Sequence, residues 1–172
     1  MTTITPIILA RAVVDLERMG AQSQLCLGDE IFAHQPTLLG AIIALKRLGA
    51  NDAQVGIALH VLYVAWLAMK RYEVQAGQSW PVISERVLEQ CMQRMSARAG
   101  FIESLSQTLR QQALKQQTDA HEERHLLAFA INHLRDHGVL GIKSNAEKQV
   151  VLGTLGIIEC IAHSAPRPGA TM

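Results

Sequence analysis

Residues 53–76 read AQVGIALHVLYVAWLAMKRYEVQA, and from Val55 to Met69 this stretch is apolar at nearly every position. A helix on the surface of a small domain shows a polar side, so one that is apolar all round must be surrounded by other helices. In a chain of 172 residues, wrapping one helix takes most of the others, or a second copy of the protein. The spacing therefore predicts an all-α fold: a single-domain, antiparallel bundle of about seven helices around a central helix at about residues 53–76.

The flanking segments agree. No stretch alternates apolar and polar residues as a half-buried strand does, whereas helical spacing recurs throughout. Thr5 and Pro6 open a first helix that runs to about Met19. A second covers about Ala21 to His34 and stops before Pro36, because the residue preceding proline is pushed out of the α region. PTLLGAIIALKRLG forms a third helix, ended by Gly49, and Asn51 or Asp52 caps the central one. A fifth shows Ile83, Val87, Leu88, Cys91, Met92 and Met95 on one stripe, and a sixth shows Phe101, Ile102, Leu105 and Leu109. A seventh helix carries HEERH (121–125) and ends at Gly138. The last opens with SNAE, a capping box of Ser144 and Glu147, and ends before Pro166. The domain is expected to span residues 1–165, with 166–172 as a flexible tail.

Composition narrows the function classes. Sixteen Lys and Arg against fifteen Asp and Glu leave a formal charge of +1, and aromatic residues make up 4%. There is no field to attract nucleic acid and few rings on which single-stranded bases could stack, so no nucleic-acid partner is expected. The longest segment without a formally charged residue, Ala53 to Met69, is shorter than the roughly 20 residues of a spanning helix, and no membrane association is expected. Cys26, Cys91 and Cys160 lie far apart among apolar residues, which suits buried free thiols in a reducing, cytoplasmic compartment. The opening segment lacks the features of a signal peptide.

HEERH has the H-E-x-x-H spacing that presents two histidines to zinc from one face of a helix and a glutamate to the metal-bound water. It predicts a metal-dependent hydrolase with His121, His125 and Glu147 as ligands, Glu159 as an alternative third ligand, and Glu122 as general base. Against it, a helical wheel at about 100° per residue sets Leu127, Ala130, Ile131 and Leu134 on the far side from His121 and His125, so both imidazoles are expected to face outward. Asp119 and Glu122 then read as an ordinary capping pair. His60 sits in the middle of the apolar part of the central helix, and with Tyr63 and Trp66 it suggests a small-molecule or cofactor pocket.

The leading expectation is a non-catalytic helical interaction or structural module with no cofactor, self-associating as a homodimer on leftover apolar faces. The last helix is the expected contact, since Gly153 and Gly156 let another backbone approach. The metal-dependent hydrolase and the ligand-binding bundle are the alternatives.

Overall fold

The computed structural model describes residues 2–167, and 168–172 of the expected tail lie outside the described residues. Eight α-helices and one 3-10 turn follow one another: α1 (Pro6–Arg18), α2 (Ala21–His34), α3 (Pro36–Ile43) with the 3-10 turn Ala44–Leu48, α4 (Asp52–Ala76), α5 (Glu85–Glu103), α6 (Gln107–Ala120), α7 (Arg124–Asp136) and α8 (Asn145–His163). The protein is all-α, with no strand among the described residues.

The ends of these helices follow local chemistry. Thr5 accepts the Ile8 N–H with Pro6 in the first turn of α1. Asn51 and Gln54 exchange side-chain to backbone bonds in a full capping box that starts α4, which satisfies donors that a helix start leaves orphaned. Gly49, at φ 97°, ends the 3-10 turn and Gly77, at φ 65°, ends α4, both in the left-handed region open to glycine. At α8 only half of the expected box forms. Ser144 accepts the Glu147 N–H, but the Glu147 carboxylate accepts the N–H of Lys143 at 2.5 Å.

α4 is central, as its composition requires: α1, α2, α3, α7 and α8 pack on it, and Val61, Leu62, Val64 and Met69 are without solvent contact. Among the described residues it is also the one helix long and apolar enough to cross a bilayer, with half of its most apolar window buried in the fold. A second helix shares its role. α8 contacts α3, α4, α5, α7 and the 3-10 turn, and eleven of its residues from Val150 to Ala162 are buried. Its glycines are filled from within the chain. A Cβ on Gly153 would lie 2.9 Å from Leu45 Cδ2, and one on Gly156 would lie 2.1 Å from Met92 Sδ. The expectation that this glycine face receives a second copy is therefore corrected: Leu45 and Met92 occupy it.

Pairings between α5 and α8 fix their direction. Cys91 meets Cys160, Met92 meets Gly156 and Glu103 meets Lys148, so higher numbers on α5 match lower ones on α8 and the two run antiparallel, with the long Arg98 side chain reaching back to Glu159. Phe101 and Ile102, expected on a sixth helix, are the last turn of α5, because Ser84 caps that helix and it continues to Glu103. α6 is polar and buries none of its residues. Cys26 is exposed, unlike Cys91 and Cys160, which corrects its expected burial.

Candidate functional site

The HEERH segment does not lie on one helix. His121 has extended backbone angles (φ −70°, ψ 138°) and ends α6, while α7 begins only at Arg124. The i, i+4 rule that would align His121 with His125 needs continuous helix between them, and the break removes it. The break has a cause in Glu123. Its carboxylate is 1% exposed and accepts the N–H groups of Thr3 and Ile4 at 2.8 and 2.9 Å. Glu123 thus holds the start of the chain in the gap between α6 and α7, where a buried carboxylate requires such donors.

His121 faces inward, not outward. Its side chain is 7% exposed, and Nε2 lies 2.9 Å from Glu159 Oε2 on α8. Its Nδ1 accepts the Glu123 backbone N–H at 3.0 Å. An imidazole nitrogen that accepts carries no proton, so the ring proton sits on Nε2 and is donated to Glu159. Both nitrogens are thereby engaged. The carboxyl of Glu159 is held below the usual range by this bond first, then by the neighbouring His121 ring and the Arg98 and Arg94 guanidiniums, against the effect of burial.

The other residues expected around a metal are elsewhere. Glu122 faces solvent 3.8 Å from Arg167 and makes no cap with Asp119, which lies inside α6. His125 is on α7. Glu147, at the start of α8, is about 18 Å along the helix from Glu159 at about 1.5 Å per residue. Among the described residues no group of three or more His, Cys, Asp or Glu is arranged to hold a metal ion.

His60, Tyr63 and Trp66 are likewise separated around α4. His60 stacks on His133 of α7 at 4.4 Å with planes 11° apart, and His133 lies 4.3 Å from His137. The His137 Nδ1 approaches the His133 carbonyl at 2.9 Å; a carbonyl only accepts, so that nitrogen carries the proton. Burial, then the neighbouring imidazoles, lowers the pKa of His133 to about 4, and burial followed by His137 lowers that of His60. Tyr63 abuts Gly28 of α2, where a Cβ would lie 2.8 Å from its hydroxyl. Trp66 lies 5.8 Å from the His34 ring, with its Nε1 buried and unpartnered. The three residues form no common pocket.

Two cavities lie instead between α5 and α8. The first, of about 420 Å³, is walled by apolar side chains that include Met95, Ile102, Leu114, Leu127, Val151 and Leu155, with Arg98, Arg110 and Lys148 also lining it. Ile142 on its edge has φ 50°, an outlying conformation for a β-branched residue, of the kind that concentrates at ligand sites. The second, of about 310 Å³, is polar, lined by residues that include Arg94, Arg98, Gln117, His121, Glu159 and Arg167. Arg98 and Gln117 belong to both walls. The sequence signalled neither cavity, because a void arises from how four helices fail to meet and no motif records it. The arginines one turn apart on α5 were the only visible trace.

No known family matches the chain, and neither a curated protein nor a solved structure matches it at a level that shows kinship.

Proposed function

We propose that this protein is a small-molecule-binding helical bundle, with the apolar cavity between α5, α6, α7 and α8 as its binding site. The observation that carries the reading is the cavity itself: about 420 Å³, within the ~300–1,000 Å³ of small-molecule sites, and apolar with a few polar groups at its edge, as such sites are. The strained backbone at Ile142 and the absence of any fully buried residue on α6 support it, since a helix that covers a cavity without filling it can move aside for a ligand.

Titration with the apolar fluorophore 1-N-phenylnaphthylamine tests the reading. Saturable binding of one probe per chain, with Kd on the order of micromolar, is expected, and Ala99→Phe, which places a ring in the cavity wall, should abolish it. No saturable binding, or equal binding by the Ala99→Phe protein, overturns it.

A second reading, self-association, is supported by exposed apolar side chains on the opposite side of the sequence: Ile7 on α1, Leu25 and Phe32 on α2 and Ile43 on α3 are all more than half exposed. Light scattering at micromolar concentration should then report a dimer that Phe32→Asp dissociates. A monomer at every concentration removes this reading.

A further inference from the structure

We propose that the ligand of the apolar cavity is a medium-chain aliphatic carboxylate, its chain in that cavity and its carboxylate on Arg94 and Arg98 in the adjoining polar one. This rests on the binding reading above.

Charge bookkeeping in the polar cavity singles out an anion. Three guanidiniums, Arg94, Arg98 and Arg167, line it against two carboxylates, Glu122 and Glu159. Arg167 is 3.8 Å from Glu122. Glu159 receives Arg98 through one nitrogen at 3.2 Å and His121 on its other oxygen, so both of its oxygens are occupied. His121 holds Glu159 Oε2 through Nε2, and its Nδ1 accepts the backbone N–H of Glu123, so neither ring nitrogen is open to a ligand. Arg94 is exposed, and among the described residues its side-chain hydrogen-bond partner is the Cys91 sulfur at 3.3 Å. A thiol is a weak acceptor for a group with five N–H donors built for carboxylates.

Arg94 and Arg98 are one turn apart on α5, a spacing that puts like charges on the same face and is mildly unfavourable, and Glu159, the carboxylate that both act on, is already engaged by Arg98 and His121. Leaving the imidazoles of His121 and His163 aside, the arginines exceed the carboxylates by one positive charge. A carboxylate neutralises it, whereas a phosphate monoester overshoots it and an ammonium head adds to it. Arg98 and Gln117 stand at the boundary of the two cavities, so a chain in the apolar space brings its head group to these arginines. The apolar volume lies at the lower end of small-molecule sites, which favours a chain of medium length.

Calorimetric titration of the full chain with decanoate, decanol and decyl phosphate, each below its micelle concentration, tests the assignment. Decanoate is expected to bind about ten- to a hundred-fold more tightly than decanol, the worth of a charge-assisted hydrogen bond. Arg94→Gln should remove that advantage with decanol unaffected, and Arg86→Gln, elsewhere on α5, should leave decanoate binding intact. Equal affinity for decanoate and decanol, an Arg94→Gln protein that retains the preference, or tighter binding of decyl phosphate overturns the carboxylate assignment while the cavity reading stands. Binding of none of the three, together with no binding of the fluorophore, removes the cavity reading itself.

Discussion

Around α4, side chains from α1, α2, α3, α7 and α8 leave Leu62, Val64 and Met69 with no solvent contact, whereas between α5 and α8 residues of the same apolar kinds enclose a space of about 420 Å³. The difference lies in the covering element. α4 is wrapped by helices that each direct an apolar stripe at it, so the interior reaches close packing. The α5–α8 layer is covered by α6, a sequence of QTLRQQALKQQTDA that buries no residue. It closes the space without filling it. The same fold thus holds a saturated core and a hollow one, and the hollow one adjoins the polar cluster of Arg94, Arg98, His121 and Glu159.

Truncating one leucine in each region separates the two most strongly. Leu62→Ala, at a site with no exposure, should cost about 2–5 kcal/mol in urea unfolding. Leu114→Ala, on the cavity wall and partly exposed, should change stability by about 0.5 kcal/mol or less. Comparable losses at the two positions would mean that the cavity region is packed as tightly as the core.

Glu123→Gln probes the joint between α6 and α7. The amide keeps one acceptor oxygen for the Thr3 and Ile4 N–H groups and sets its own donors against one of them, in a site that is 1% exposed. A loss of about 1.5–3 kcal/mol is expected; a melting temperature within a degree of the native protein would remove Glu123 from its anchoring role.

The histidine stack tests the α4–α7 contact through pH. The folded chain holds His133 down to about 4 and lowers His60, although Asp136 and Glu17 act in the opposite sense. The unfolded chain takes up those protons near pH 6.5. Below that pH the unfolded state binds more protons, so stability is complete above about 6.5 and declines as pH falls toward 4. With the stack partly open to water, the decline should be about 1–2 kcal/mol, less than the full shift implies. His133→Phe should flatten this part of the profile, and an unchanged slope would show that other groups carry it.

The smallest effect is expected at the surface. Asp15 pairs with Arg71 between α1 and α4, and both side chains remain about one-third exposed. Asp15→Asn should alter stability by about 0–1 kcal/mol, an effect reduced by salt. Hydrogen exchange completes the contrast: α6 amides should exchange fastest among the helices and α4 amides slowest, and decanoate should slow α6 selectively.

Much of the fold was legible in the sequence because it is written in local periodicity. The nearly continuous apolar run from Val55 to Met69 required a wrapped helix, and Thr5, Pro36, Gly49 and Asn51 marked helix ends by chemistry that acts within a few residues. Leu127, Ala130 and Leu134 were placed on the buried side of α7 by spacing alone, and they are buried. The candidate site was not legible. HEERH reads as helix from residue to residue, yet a contact with Thr3 and Ile4, more than a hundred positions away, breaks it at His121 and turns that ring toward Glu159.

What the sequence determined by itself was the all-α class, the central place of α4 and the chemistry of most helix ends, since these depend on periodicity and on near neighbours in the chain. Tertiary structure alone decided the second buried helix, the inward turn of His121, the partners of Gly153 and Gly156 and the two cavities. Each of those depends on which distant side chains meet, and close packing of whole helices, not the order of residues along any one of them, sets such meetings.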